Sequence, residues 1–182
     1  MITFSPLKIN GAFIVQSNSF DDTRGKFIRS YCENEFEKIN HDSKWVQINL
    51  SQTSKKGSIR GMHMQHEPHS EIKLIRCIRG VVFDVIIDMR TESDTYLQHE
   101  NVVLSAENML ALYIPEGCAH GFQTLEDDSH LLYYHSNFYN KDFEAGYLYN
   151  DPAFDIRWPH DVTVISEKDS NYLPINFKRN NI

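Results

Sequence analysis

The chain has 182 residues, of which 41% are hydrophobic and 24% charged, with a net charge of −7 from 25 acids against 18 lysines and arginines. A chain of this length and composition buries a core without disulfides or metal and fits a single all-β domain. The acidic balance, with no run of five or more like charges, speaks against a nucleic-acid or anionic-membrane partner. It leaves room for a small anionic ligand held by a few bases in one cleft.

In chain order, Met1–Phe20 carries one lysine and lacks the apolar run of a secretory leader. No apolar stretch approaches the ~20 residues of a membrane helix. Glu33–Ile39 reads as one short helix, with Phe36 and Ile39 on one side. From Trp45 onward the chain is a series of short runs rich in β-branched and aromatic residues. The expected strands are Trp45–Ser51, Ser58–Gln65, Ile72–Arg79, Val81–Asp88, His99–Leu104, Met109–Ile114, Gly121–Thr124 and Leu131–His135. Arg79-Gly80 marks a tight turn between two of them. Pro152, Pro159 and Pro174 punctuate a C-terminal segment of loops and turns. Cys32, Cys77 and Cys118 form no CxxC pair, so a disulfide framework or zinc knuckle is not expected and a reducing cytoplasm is the simplest compartment. The organisation is one β domain, a barrel or sandwich, over residues 1–182 with an irregular C-terminal covering.

Several segments could carry chemistry. In Arg60-Gly61-Met62-His63-Met64-Gln65, strand alternation puts Arg60, Met62 and Met64 on one face and His63 and Gln65 on the other, suggesting a polar pocket. A lone His on a strand is as readily an exposed or hydrogen-bonded histidine. In Val81–Asp88, Asp84 shares a face with Val82 and Ile86. A carboxylate there is costly unless paired, so a rim position is the plain reading. Pro115-Glu116-Gly117-Cys118-Ala119-His120 is a turn delivering His120 to the start of the next strand, a spacing used in cupin barrels. His63, His66, His69, Glu71 and His120 are metal-ligand types. A cupin metal site, however, takes two histidines at i and i+2, and Gln65 stands at that position. Tyr133 and His135 share a face. Ser166-Glu167-Lys168-Asp169, taken alone, is a solvated charge run.

In their order these blocks resemble the dTDP-4-dehydrorhamnose 3,5-epimerase family of cupin barrels. The matching elements are Asp22-Thr23-Arg24-Gly25-Lys26-Phe27, Gln47-Ile48-Asn49-Leu50-Ser51, Arg60 to Gln65, Lys73-Leu74, Phe83-Asp84-Val85, Pro115 to Phe122, Tyr133 to Tyr139, Asn150-Asp151-Pro152, Trp158-Pro159 and Ser166 to Asp169. They span roughly residues 5–175. The resemblance implies a cupin jelly roll (a double-stranded β-helix) and epimerisation at C3 and C5 of a 4-keto-6-deoxy nucleotide-diphosphate sugar, in deoxysugar and surface-polysaccharide biosynthesis. It implies no cofactor and no metal. A His suits the base and a donor across the ring suits the acid.

By the same resemblance His63 is the base, Tyr133 the acid, Asp169 the partner of His63, and Lys73 the cation near the C4 oxygen. Arg60 and His120 line the sugar pocket. Arg24, Gln47, Asn49, Glu144 and Lys168 contact the nucleotide or its phosphates, and Tyr139 stacks on the base. Homologous enzymes are homodimers that exchange N-terminal segments, with some ligand contacts crossing the interface. Arg24, Arg60, Lys73 and Lys168 are expected to converge on one barrel mouth. The sequence departs from the family pattern at Arg29, where a Glu is usual, at Met62 and Met64 around His63, and at Tyr134. The competing readings are epimerisation at C3 or C5 alone, a metal-dependent cupin using His63 and His120, and a sugar-nucleotide binder without turnover.

Overall fold

A computed structural model describes residues 1–175; residues 176–182, included in the expected domain, lie outside the described residues. Thirteen strands are present among the described residues: β1 (Ile2–Pro6), β2 (Phe13–Ser17), β3 (Ser19–Asp22), β4 (Gly25–Ile28), β5 (Gln47–Thr53), β6 (Ile59–Gln65), β7 (Lys73–Arg79), β8 (Val81–Asp88), β9 (His99–Ser105), β10 (Ala111–Ile114), β11 (Cys118–Thr124), β12 (Ser129–His135) and β13 (Glu144–Gly146). All strand pairs are antiparallel. A six-stranded sheet runs β1-β2-β10-β7-β12-β5, and a five-stranded sheet runs β13-β6-β11-β8-β9. This is the all-β jelly roll of the cupin class.

The eight expected strands all form, most within two residues of their expected ends. The strand of His120 starts earlier than expected, at Cys118, so the histidine is its third residue. The first four strands and β13 are additional to those expected; β3 and β4 are wholly or largely exposed, so they lack the half-buried alternation that marks a strand. The expected helix is one α turn, α1 (Glu33–Phe36), continued by a 3₁₀ turn to Ile39.

Alternation decides what each sheet buries. Ile75 and Cys77 of β7, Val82 and Ile86 of β8, Phe122 of β11 and Leu131 of β12 meet between the two sheets. On the outer face of the five-stranded sheet, Met62, Val85, Ile87 and Ala119 lie under Tyr147, Phe154 and Ile175 of the C-terminal segment. On the outer face of the six-stranded sheet, Leu74, Ala111 and Tyr113 pack with Phe36 of α1. The sandwich is therefore apolar at one end of its interior, and the polar side chains of the same inward faces collect at the other.

One irregularity sets the site. His120 of β11 pairs with His63 of β6, but Phe122 pairs with Arg60, so two residues of β6 stand against one of β11. Such a bulge reverses the alternation beyond it. The backbones of Gly61 and Gly121 meet there. A Cβ on Gly61, whose φ is +109°, would lie 2.6 Å from the Gly121 Cα and 2.6 Å from the His120 carbonyl oxygen. Only glycine fits such a crossing at that φ.

Candidate active site

The open end of the sandwich holds a cavity of about 780 Å³, within the size range of small-molecule sites. His63, Arg60, Lys73, His120, Tyr133, Asn49, Tyr139, Glu144 and Asp169 all line it. Alternation alone puts Arg60 and His63 on opposite faces of their strand; the bulge turns both into the cavity. His66 and His69 fall in the loop after β6, as their spacing suggested.

His63 enters from the five-stranded sheet. Its Nε2 lies 2.7 Å from Asp169 Oδ1, and Asp169 Oδ2 accepts the Gly61 N–H at 3.2 Å. Asp169 stands on α2 (Glu167–Ser170), a single turn started by Ser166, whose hydroxyl oxygen accepts the Asp169 N–H at 3.0 Å. The segment that reads as a solvated charge run is thus a capped turn that points one carboxylate inward, leaving Asp169 4% exposed. Burial alone would raise this carboxyl, but the bonds from His63, Gly61 and Ser166 outweigh it and hold it below its ordinary value. An ionised Asp169 accepts from Nε2–H, so Nδ1 of His63 is left with the lone pair. The ring, about one-third exposed, is thereby held in one tautomer.

Tyr133 enters from the facing sheet, on β12. Burial, reinforced by the Asp84 carboxylate and only partly offset by Arg60, pushes its phenol far above the ordinary value. It is a neutral donor near neutral pH. Its ring lies 5.9 Å from that of His120. His120 Nε2 sits 2.9 and 3.0 Å from the two oxygens of Asp84, which is fully buried. Asp84 is therefore not at the rim, as alternation alone allowed, but paired in the interior. Burial pushes its carboxyl up, with His120 and Lys73 offsetting part of the shift.

Lys73, 7% exposed, extends from β7 into the cavity; its Nζ donates to the His63 carbonyl at 3.3 Å and pairs with Glu71 at 3.3 Å. Arg60 donates to the Thr53 hydroxyl at 2.9 Å and the Gln52 carbonyl at 3.2 Å, which anchors its guanidinium beside the cavity. At the rim the Tyr139 hydroxyl donates to Glu144 Oε2 at 3.1 Å, and Lys168 pairs with the same carboxylate.

The remaining residues are placed differently. Gln47 does not line the cavity, but its side-chain oxygen accepts the Tyr139 N–H at 3.2 Å. Arg24 lies on the β3–β4 hairpin, beside a smaller depression, paired with Asp22. The expected convergence of four bases thus holds within one chain for Arg60 and Lys73 and, through Glu144, for Lys168, but not for Arg24. Arg29, the departure from the family, pairs with Glu35 at 3.3 Å. Sequence reading raises Glu71 only as a metal-ligand type and does not assign His135 to this site. Both line the cavity, and the only trace of His135 is its sharing a strand face with Tyr133. Among the described residues no group of three or more His, Cys, Asp or Glu side chains is arranged to hold a metal ion.

A carboxylate-held histidine on one sheet faces a neutral phenol and a buried ammonium on the other, side chains chemically able to move protons on and off carbon. Together with the jelly roll they define a carbohydrate epimerase, an isomerase of the cupin class. The model of the family "dTDP-4-dehydrorhamnose 3,5-epimerase" matches residues 6–176, and the chain belongs to that family. It is 42% identical over 165 residues to the dTDP-4-dehydrorhamnose 3,5-epimerase of Shigella flexneri, covering 90% of this chain and 91% of that one. The structure is also similar to the Bacillus anthracis enzyme of that name with TDP and PPi bound, with a TM-score of 0.93, 33% identity, and 96% and 100% of the two chains covered. For the Legionella pneumophila dTDP-6-deoxy-D-glucose-3,5-epimerase in complex with dTDP-4-keto-L-rhamnose, the TM-score is 0.92, identity 32%, and coverage 97% and 94%.

Proposed function

We propose that this chain epimerises C3 and C5 of a dTDP-linked 4-keto-6-deoxy sugar, with His63 as base and Tyr133 as acid. The observation that carries the reading is the His63–Asp169 pair on one wall of the cavity and the neutral Tyr133 on the other. Nδ1 of His63 takes the proton from a carbon next to the ketone. The C–H electron pair becomes the C=C bond of an enolate, and the former carbonyl pair rests on the C4 oxygen. Lys73 offsets that charge, which a low-dielectric cavity makes effective. Tyr133 returns a proton to the opposite face of the carbon and regains one from solvent before the second carbon reacts. Asp169 keeps the imidazolium stable until it exchanges its proton with solvent. Arg60 and His120 hold the sugar, and Tyr139, Glu144, Lys168, Asn49 and Gln47 meet the nucleotide end.

A homodimer completes the reading. Phe20 and Phe27 on the β3–β4 hairpin and Ile48 and Leu50 on the edge strand β5 are all more than half exposed, which suits contact with a second copy. Arg24, placed away from its own cavity, then reaches the nucleotide of the partner subunit. We place the protein in the cytoplasm, supplying an activated deoxysugar for surface polysaccharide. Three free cysteines fit that compartment.

The test is turnover of dTDP-4-keto-6-deoxyglucose in D₂O. Deuterium at both carbons supports the double reaction; deuterium at one replaces it with a single-carbon epimerase. No exchange overturns the assignment. His63→Ala and Tyr133→Phe are each expected to lose about 10²–10⁴-fold in kcat, the usual worth of a positioned acid or base, while the fold is kept. Retained activity in His63→Ala refutes the base.

A further inference from the structure

Four side chains on the six-stranded wall form a chain that the proton transfers do not use. Glu71 stands just before β7 and is 9% exposed; its Oε1 lies 3.3 Å from Lys73 Nζ and its Oε2 lies 2.7 Å from His135 Nδ1. The other ring nitrogen of His135, Nε2, lies 3.4 Å from Nδ2 of Asn49 on the neighbouring strand β5. All four line the cavity. Burial opposes the charge on Glu71, but the bonds from His135 and Lys73 more than reverse this and hold its carboxyl below the ordinary value.

The polarity of this chain is set from one end. An ionised carboxylate only accepts, so His135 donates through Nδ1–H and its Nε2 is bare. A bare Nε2 needs a donor, so the NH₂ of Asn49 turns toward it. The Asn49 carbonyl oxygen is then the atom free for a ligand, and among the described residues it accepts no hydrogen bond. An Asn amide has no intrinsic preference for either orientation; here the neighbouring network selects one.

We propose that Glu71 and His135 are positioning residues that fix the Asn49 amide as a hydrogen-bond acceptor toward the ligand. The site then selects a sugar nucleotide that brings a donor to this wall, a hydroxyl or an imide N–H. Diphosphate oxygens, which only accept, are turned away from it toward the bases. The inference rests on the nucleotide-sugar reading above.

Glu71→Gln tests the direction of the chain. Lys73 can only donate, so it draws the oxygen of the new amide and turns the amide NH₂ toward His135 Nδ1. The ring proton moves to Nε2, the Asn49 oxygen turns toward the ring to accept it, and the cavity meets an NH₂ instead. Adding Asn49→Asp restores an acceptor, because a carboxylate accepts from His135 and from the ligand together. The measurement is the dissociation constant of dTDP-4-keto-6-deoxyglucose by calorimetry and KM and kcat by deuterium exchange. Glu71→Gln is expected to weaken binding and raise KM about tenfold, and the Glu71→Gln/Asn49→Asp double variant to recover most of that loss. In parallel, His135→Leu loses about tenfold and His135→Gln, which passes on the same polarity, recovers most of it. The second pair decides the matter should Glu71→Gln fail to fold. A Glu71→Gln variant that binds like wild type, or a double variant no better than Glu71→Gln, overturns the proposal. Absence of exchange in the wild type overturns the function instead, and the dissociation constants still decide the polarity.

Discussion

Replacing Asp169 by Asn strikes the proposed catalytic pair at the residue that acts through His63. The substitution keeps the side-chain volume and removes one charge. Asp169 accepts from His63 Nε2 at 2.7 Å and from the Gly61 N–H at 3.2 Å in a buried position. A hydrogen bond to a charged group is worth about 1.5–3 kcal/mol, or about 10- to 150-fold in rate if all of it stabilises the imidazolium formed in the transition state. A second effect adds to the first. The Gly61 N–H retains the oxygen of the new amide, so the amide NH₂ faces His63 Nε2 and the ring proton moves to Nδ1. The nitrogen that must take the proton is then occupied. Together these predict a fall of about 10³-fold in kcat with KM within about threefold, since the ground-state contacts to the ligand are untouched. The assay is the initial rate of deuterium uptake from solvent into the keto sugar, with a melting curve to show that the fold is kept. A kcat within about threefold of wild type would refute the dyad.

Other outcomes follow from single environments. Gly61→Ala forces a Cβ onto the Gly121 backbone at a positive φ, and is expected to cost more than about 3 kcal/mol in denaturant unfolding. The Asp88 carboxyl, fully buried, would be raised by burial, but bonds from Arg90, Ser93 and Thr95 hold it well below the usual range. Because its folded-state value is depressed, its stabilising contribution is present above the unfolded value of about 4 and is lost as pH falls below it. The stability difference between wild type and Asp88→Asn is therefore expected to be full at about pH 7 and to shrink steadily below about pH 4; a difference that does not change with pH rules this out. Burial pushes the thiols of Cys77 and Cys118 up to about 11 and about 12. Iodoacetamide at about pH 8 should leave both unmodified in the folded protein and reach them only after denaturation, as mass spectrometry would show.

Local pattern was enough for the eight central strands, because each alternates or runs apolar under its own sequence and is bounded by turn residues. It also singled out His63 and Tyr133 as side chains that could do chemistry, while Lys73 entered only through the family likeness. Pattern could not show that Arg60 and His63 face the same way. That depends on a bulge opposite Gly121, a residue 60 positions from Gly61, and although Gly61 permits a bulge, its own strand does not show which partner it stands against. Nor could it place Asp84 in the interior, since the imidazole that offsets its burial comes from another strand. Asp169 is the clearest case: 106 residues separate it from His63, and its own neighbours read as solvent-exposed. Its position came only from the likeness of the whole chain to a family.

What the sequence by itself determined is a β domain of the cupin class and its family, because composition, alternation and motif order are properties of the chain alone; the reacting side chains it named are expectations carried by that likeness. Tertiary structure decided how those side chains act. The tautomer of His63, the raised pKa of the Tyr133 phenol, the pairing of Asp84 with His120 and the line from Lys73 through Glu71 and His135 to Asn49 all depend on distances between strands far apart in the chain. Charge and proton position respond to the nearest partner in space, and only the folded sheets bring those partners within hydrogen-bond reach.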